Sequence, residues 1–208
     1  MAYFRRRGAR TRRLSAFLKR RALARPARRP ELDCRSFPKL FRKRAVVFTD
    51  TDDFTLLVAR HGILHFLMLF DRVLRALTPA IRRSRGRLLK VEADSLLLTF
   101  PDAAAACAGV VAIELALRRS NRRRTPAERL AFSYGVGYGD LLEIEEDVFG
   151  LEVNLASKLG EDRARRNEAL LTPAAAAALP PPWRRRLVPY AVATLEGRGL
   201  PIQRLKLG

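Results

Sequence analysis

Cysteine and histidine are nearly missing from this chain of 208 residues, with two of each, and tryptophan occurs once. Cys34 and Cys107 supply neither a disulfide framework nor the repeated spacing of a thiolate metal centre. Cys107 lies in an apolar helical run where burial is the default. His61 and His65 stand four apart and can share one helix face, but without acidic neighbours they make a poor metal set. Ordinary surface or core roles are expected for both. Long apolar runs are also lacking. The longest, GILHFLMLF at 62–70, falls far short of the roughly 20 residues of a membrane span. The basic start, RRRGARTRR at 5–13, has no apolar stretch behind it of the kind a secretory leader needs.

Acidic residues are scarce: 21 Asp and Glu face 41 Lys and Arg, a formal charge of +20. The excess is concentrated. Residues 1–44 carry 17 basic side chains against only Glu31 and Asp33, so the remainder is mildly basic. Residues 1–42 are therefore expected to form a basic extension and linker, with a globular domain over 43–208. Such a tail is attracted electrostatically to nucleic acid or to an anionic membrane surface, or is simply solvated. The globular part lacks the interleaved aromatic and basic strand of an RNA reader, which leaves nucleic-acid binding an accessory role at most.

The pattern along the chain predicts a short helix at 14–24 and a linker at 24–39 marked by Pro26, Pro30 and Pro38. A strand at AVVFTD, 45–50, follows. Helical segments at 54–57 and 65–81 are offset by Gly62, and Leu67, Phe70, Leu74 and Leu77 recur at helical spacing for the core or a partner. RLLKV (87–91) and SLLLTF (95–100) form strands around a short turn, and a helix spans 103–119. The glycine-rich stretch 130–144 suggests a hairpin, 145–150 a loop and 151–162 a helix. A small helix at 174–178 and two final strands complete the chain, with Pro189 marking an edge or a bulge. Strand–helix–strand–strand–helix–strand is the order of a ferredoxin-like α/β fold with an antiparallel sheet and flanking helices.

Two carboxylates stand out within this order. Asp50 closes the 45–50 strand, and Asp94 sits in the turn between the next two. Carboxylates at a strand end and in an adjacent hairpin can share a divalent cation, and hard oxygen ligands suit magnesium together with substrate phosphates. Taken alone, both aspartates equally suit turn caps.

The segments VVFTDTDDFT, GRLLKVEAD, GVGYGD, DVFG and NLASK, in this order and spacing over roughly 43–195, together resemble the catalytic domain of class III nucleotidyl cyclases. The resemblance implies that Asp50 and Asp94 coordinate two Mg2+ or Mn2+ ions, with the carbonyl of Thr51 as a further ligand and residues 51–55 as a phosphate-facing turn in which Phe54 and Thr55 meet the substrate. It places Lys90 and Asp147 at the base. Lys90 can donate to adenine N1 and Asp147 can accept from the exocyclic amine, a pattern that guanine reverses. Asn154 matches the residue that positions the ribose, and Lys158 the one that opposes charge on the reacting phosphate. The implied activity is an adenylate cyclase converting ATP to 3′,5′-cyclic AMP and pyrophosphate. It acts in signalling as a cytoplasmic homodimer, with peripheral membrane contact through the basic tail as an option. One subunit supplies Asp50 and Asp94, and the other supplies Lys90, Asp147, Asn154 and Lys158.

Three positions depart from the family pattern. Lys158 replaces the usual arginine, keeping the charge but losing the planar fork. Asp53 replaces a glycine before the Phe-Thr pair, adding a negative charge beside phosphates. Ala93 replaces the glycine before the second metal aspartate. These leave two alternatives open: an inactive nucleotide-binding regulatory domain, and a cyclase for another nucleotide such as UTP.

Overall fold

The protein is described by a computed structural model that covers residues 8–52, 54–145, 147–195 and 198–207. Helices α1 (Ala9–Leu23) and α2 (Arg29–Leu40) precede the first strand, with a short 3-10 turn at Pro26–Arg28 between them. The proline-marked segment read as a linker is thus largely helical. Pro26 and Pro30 each open a helical turn, where a missing N–H costs nothing, and Pro38 falls in the last turn of α2.

β1 (Phe41–Thr51) then leads through α3 (Phe54–His61) and α4 (Ile63–Arg83) to the hairpin β2 (Arg87–Glu92) and β3 (Ser95–Phe100). α5 (Ala103–Asn121) crosses back to β4 (Phe132–Ile144). These elements form the expected ferredoxin-like unit, with β2-β3-β1-β4 adjacent and antiparallel. Gly62 separates α3 from α4 with φ 84°, a left-handed conformation that an L side chain resists. α4 buries Phe66, Leu69, Phe70, Val73, Leu77, Ala80 and Ile81 at helical spacing, each large side chain contributing about 1.5–3 kcal/mol. Leu67 lies off this face and is exposed.

The hairpin expected inside 130–144 is instead one continuous strand. Its partner across the turn is β5 (Asp147–Phe149), in the stretch read as a loop, with Ile144 opposite Asp147. The glycines of β4 do not turn the chain; they admit a helix. α6 (Leu151–Asp162) lies on the sheet face opposite α4 and α5. A Cβ at Gly135 would stand 1.9 Å from the Ala156 carbonyl oxygen and 2.7 Å from the Gly160 nitrogen. Both obstacles are backbone. Gly135→Ala is accordingly expected to destabilise the fold by about 3 kcal/mol or more, read by urea denaturation.

β1 serves both faces, which explains its unbroken apolar run. Ala45 and Val47 pack under α4 and α5, while Val46 and Phe48 pack under α6 with Leu97, Leu141 and Val148. A further strand, β6 (Ala169–Leu171), pairs in parallel with β4 and escaped the sequence pattern because three buried residues carry no period. α7 (Pro173–Ala177) and the short α8 (Pro181–Arg184) lead to β7 (Leu187–Leu195) and β8 (Arg198–Leu205). β7 is the sheet edge, and its register shifts between Pro189 and Ala191, so the proline marks both an edge and an irregularity.

Cys107 is buried, its thiol pushed up to about 12 mainly by that burial. Cys34 is exposed. Among the described residues, no helix is long and apolar enough to cross a membrane.

Candidate active site

Asp50 and Asp94 meet at one end of the sheet. Asp50 is the penultimate residue of β1, and Asp94 follows Ala93 in the two-residue turn joining β2 to β3. The two are stitched together by neighbouring hydroxyls. Thr51 Oγ1 donates to an Asp94 carboxylate oxygen, and Ser95 Oγ donates to Asp50 Oδ1 at 3.1 Å. Ser133 on β4 donates to the Asp50 carbonyl at 3.4 Å and, more strongly, to the Gly160 carbonyl at 2.7 Å. That bond fastens the last turn of α6 to β4, at the residue paired with Asp50.

The Asp50 carboxyl is pushed up to about 6. Partial burial is the first cause, and the Asp94 charge the second. The Ser95 bond opposes the shift, while Glu161 and Asp52 add to it. A half-buried carboxylate whose charge is disfavoured by burial and by a neighbouring acid suits a cation. With the Thr51 carbonyl the two aspartates would make a hard-oxygen set of the kind that magnesium or manganese takes. Among the described residues, no cluster of three or more His, Cys, Asp or Glu forms, so water or substrate oxygens would have to complete any coordination sphere. Asp53 lies outside the described residues.

Ala93 adopts φ 52°. This is the left-handed conformation for which glycine is preferred at the first position of a two-residue hairpin turn. Ala93→Gly should therefore stabilise the protein by about 0.5–1 kcal/mol, measured by equilibrium unfolding.

Phe54 and Thr55 open α3 directly after the turn. The Phe54 ring packs edge-on against Phe66 with centroids 4.7 Å apart, so this side chain belongs to the core. Only its backbone remains to meet a phosphate. Thr55 is exposed.

The other predicted residues fall elsewhere. Lys90 lies on β2 and pairs with Glu92 at 3.1 Å. Asp147 opens β5, its carboxylate accepting the Val148 N–H at 2.9 Å. Asn154 and Lys158 project from α6 four residues apart, both exposed. The helix that carries them is anchored by Glu152, which accepts the Tyr138 N–H at 3.1 Å and the Thr172 hydroxyl at 2.6 Å. The structure thus brings Asp50, Thr51 and Asp94 together and carries Lys90 on β2, Asp147 on β5, and Asn154 and Lys158 on α6. Sequence reading missed Ser95, Ser133 and Glu161. Ser95 had a signal in its adjacency to Asp94, whereas the other two reach Asp50 only through the fold.

No protein-family model matches the chain. A curated relative, "Putative adenylate cyclase 3" of Rhizobium meliloti (strain 1021), is 26% identical over 118 residues. The match spans 57% of this chain but only 20% of that protein. Among solved structures, an adenylate/guanylate cyclase/hydrolase from Silicibacter pomeroyi superposes with TM-score 0.64 at 20% identity, covering 79% of this chain and 96% of that one. The adenylyl cyclase CyaB from P. aeruginosa gives TM-score 0.64 at 19% identity, over 80% and 94%. The guanylyl cyclase Cya2 gives 0.66 at 16%, over 79% and 92%. Enzymes named for either purine share the architecture, so the architecture does not choose the base.

Proposed function

We propose that this chain, which has the catalytic-domain fold of the class III adenylate/guanylate cyclases, is a nucleotidyl cyclase that converts ATP to 3′,5′-cyclic AMP and pyrophosphate. The observation that carries the reading is the pairing of Asp50 with Asp94 at the end of the sheet, braced by Thr51 and Ser95. These aspartates, with the Thr51 carbonyl, would hold two Mg2+ or Mn2+ ions, which when bound polarise the ribose 3′-hydroxyl and neutralise charge on the phosphates.

The remaining work falls to this chain's own side chains. Lys90 donates to adenine N1 while Asp147 accepts from the exocyclic amine, so the pair rejects guanine. Asn154 holds the ribose with its hydroxyl toward the α-phosphorus, and the Lys158 ammonium opposes the negative charge that grows on the phosphate as the bond to pyrophosphate breaks. The backbone at Phe54 and Thr55 faces the leaving phosphates. The family resemblance puts the aspartates on one subunit and the four base- and ribose-facing residues on the other, so the reading places a complete site between two copies. A two-fold axis then makes two equivalent sites per dimer.

A second reading has its own observation. Lys158 is exposed and stands where the family has arginine, and a lysine forfeits the bidentate grip of that side chain. A nucleotide-binding domain with little turnover would follow if this loss dominates. Incubating the purified dimer with each of the four nucleoside triphosphates, under magnesium and under manganese, separates these readings. Cyclic AMP as the main product supports the proposal. Dominant cyclic UMP would reject the base assignment, and tight ATP binding without product would favour the regulatory domain. Lys158→Arg is expected to raise kcat several-fold in the same assay; an unchanged rate would show that the lysine does not limit turnover.

A further inference from the structure

Far from the aspartates, arginines from three elements converge on one buried carboxylate, and a fourth arginine stands beside them. Glu143, near the end of β4, keeps 8% of its side chain exposed. Arg10 of α1 donates to Glu143 Oε2 at 2.8 Å. Arg44 of β1 approaches Oε1 at 3.5 Å, and Arg87 of β2 approaches Oε2 at 3.6 Å. Arg85, in the turn before β2, pairs with Asp102 at 3.0 Å. Together they line a cleft of about 370 Å³ beside Phe100. Arg44 precedes Asp50 by six residues along β1, which puts the cleft about 20 Å from the carboxylate pair.

One guanidinium neutralises one carboxylate, so three around Glu143 leave a surplus of two positive charges in a confined space. Self-repulsion of that kind weakens a fold unless something answers it. Only Arg10 makes a hydrogen bond to Glu143 among the described residues. Arg44 and Arg87 stay at ion-pair distance, with side chains 40% and 51% exposed, so their planar forks keep N–H donors for another acceptor. Guanidinium forks match phosphate oxygens two at a time. The volume, near the lower end for small-ligand sites, suits a compact charged group.

We propose that this cleft binds a ligand bearing two or more phosphate groups, gripped by Arg44, Arg85 and Arg87, with Arg10 shared between the ligand and Glu143. It is separate from the nucleotide site and does not depend on cyclase activity. The two sources of such chemistry are a soluble oligophosphate and the headgroup of a polyphosphorylated lipid. Because Arg10 sits on α1, an occupant would compete with Glu143 for one of the contacts that hold α1 against the end of β4.

The test is calorimetric titration of the full chain with inorganic tripolyphosphate in EDTA, alongside sedimentation with vesicles containing a bisphosphorylated inositol lipid or phosphatidylcholine alone. Binding to tripolyphosphate that falls at least tenfold in the Arg44→Gln/Arg87→Gln variant and is unchanged in Asp50→Asn supports the soluble source. Binding confined to the phosphorylated-lipid vesicles, with the same dependence on the arginines, supports the lipid source. Should the double variant fail to fold, Arg85→Gln, an exposed position, replaces it, with at least a threefold loss expected. Binding that survives these substitutions, binding lost equally in Asp50→Asn, or no binding to either probe would overturn the proposal. So would capture of RNA alone through these arginines.

Discussion

Asp50→Asn should abolish cyclic-nucleotide formation, lowering kcat by about 10³ or more, while making the metal-free protein more stable at neutral pH. Both halves come from one cause. Asp50 carries a charge that burial and Asp94 disfavour, and its carboxyl is pushed up to about 6. An amide of the same shape keeps the volume and can still accept the Ser95 hydroxyl, but carries no charge for a cation to answer. The stability gain is on the order of 1 kcal/mol after allowance for solvent screening at this half-exposed carboxyl.

The pH dependence fixes the sign. A folded-state carboxyl near 6 holds its proton where the unfolded chain, near 4, has lost it. Between those values the folded state binds more protons, so this group's contribution to stability falls as pH rises through the window. Above about 6 the penalty is fully present, and below about 4 it is absent. The melting temperature of Asp50→Asn should therefore exceed that of the parent at pH 7.5 in EDTA and match it near pH 4. Saturating magnesium should shrink or reverse the difference at pH 7.5, because only the parent gains binding free energy. A variant no more stable than the parent in EDTA at pH 7.5 would contradict the repulsion argument. Full turnover in the variant would contradict the metal assignment. Proton competition also predicts that the parent needs more magnesium for half-maximal activity as pH falls below about 6.

The aspartate pair of the candidate site was legible because both residues sit at places that sequence patterns mark well. A continuous apolar run announces β1, and the symmetric runs on either side of Ala93 and Asp94 announce the hairpin. The helix bearing Asn154 and Lys158 shows its period through Val153, Leu155, Ala156 and Leu159. What was not legible depends on packing between distant segments. The glycines of β4 read as turn formers, yet they clear space for the α6 backbone, and nothing local distinguishes the two uses. Phe54 read as a phosphate-loop residue, while its ring fills space against Phe66. The prolines before Leu40 read as breaks, although two of them stand where helices begin. The basic extension read as a tail. Its first helix is in fact held by acids, with Arg10 on Glu143 and the Thr11 N–H on Glu145 Oε1 at 3.3 Å. An arginine-rich segment shows its charge in the sequence but not the distant acidic partners that fold it back.

Two inactive variants should restore activity to each other. Asp50→Asn damages the aspartate half of the proposed site, and Lys158→Ala damages the half offered by α6. Each homodimer then has a lesion in both of its sites. When equal amounts are mixed and subunits exchange at random, about half of the dimers contain one of each. In such a heterodimer the two lesions fall together in one site and leave the other intact. Half of the dimers with one working site of two gives about a quarter of the parental rate. A site built within one chain predicts no recovery at any mixing ratio, because every copy carries its own lesion. The rate should also follow the product of the two variant fractions, peaking at equal amounts, which distinguishes shared sites from residual activity in either preparation. Because Lys158 is exposed, its truncation should leave the melting temperature within about 1 °C of the parent. Recovery on mixing would then report where the two halves of the site reside rather than the rescue of an unstable fold.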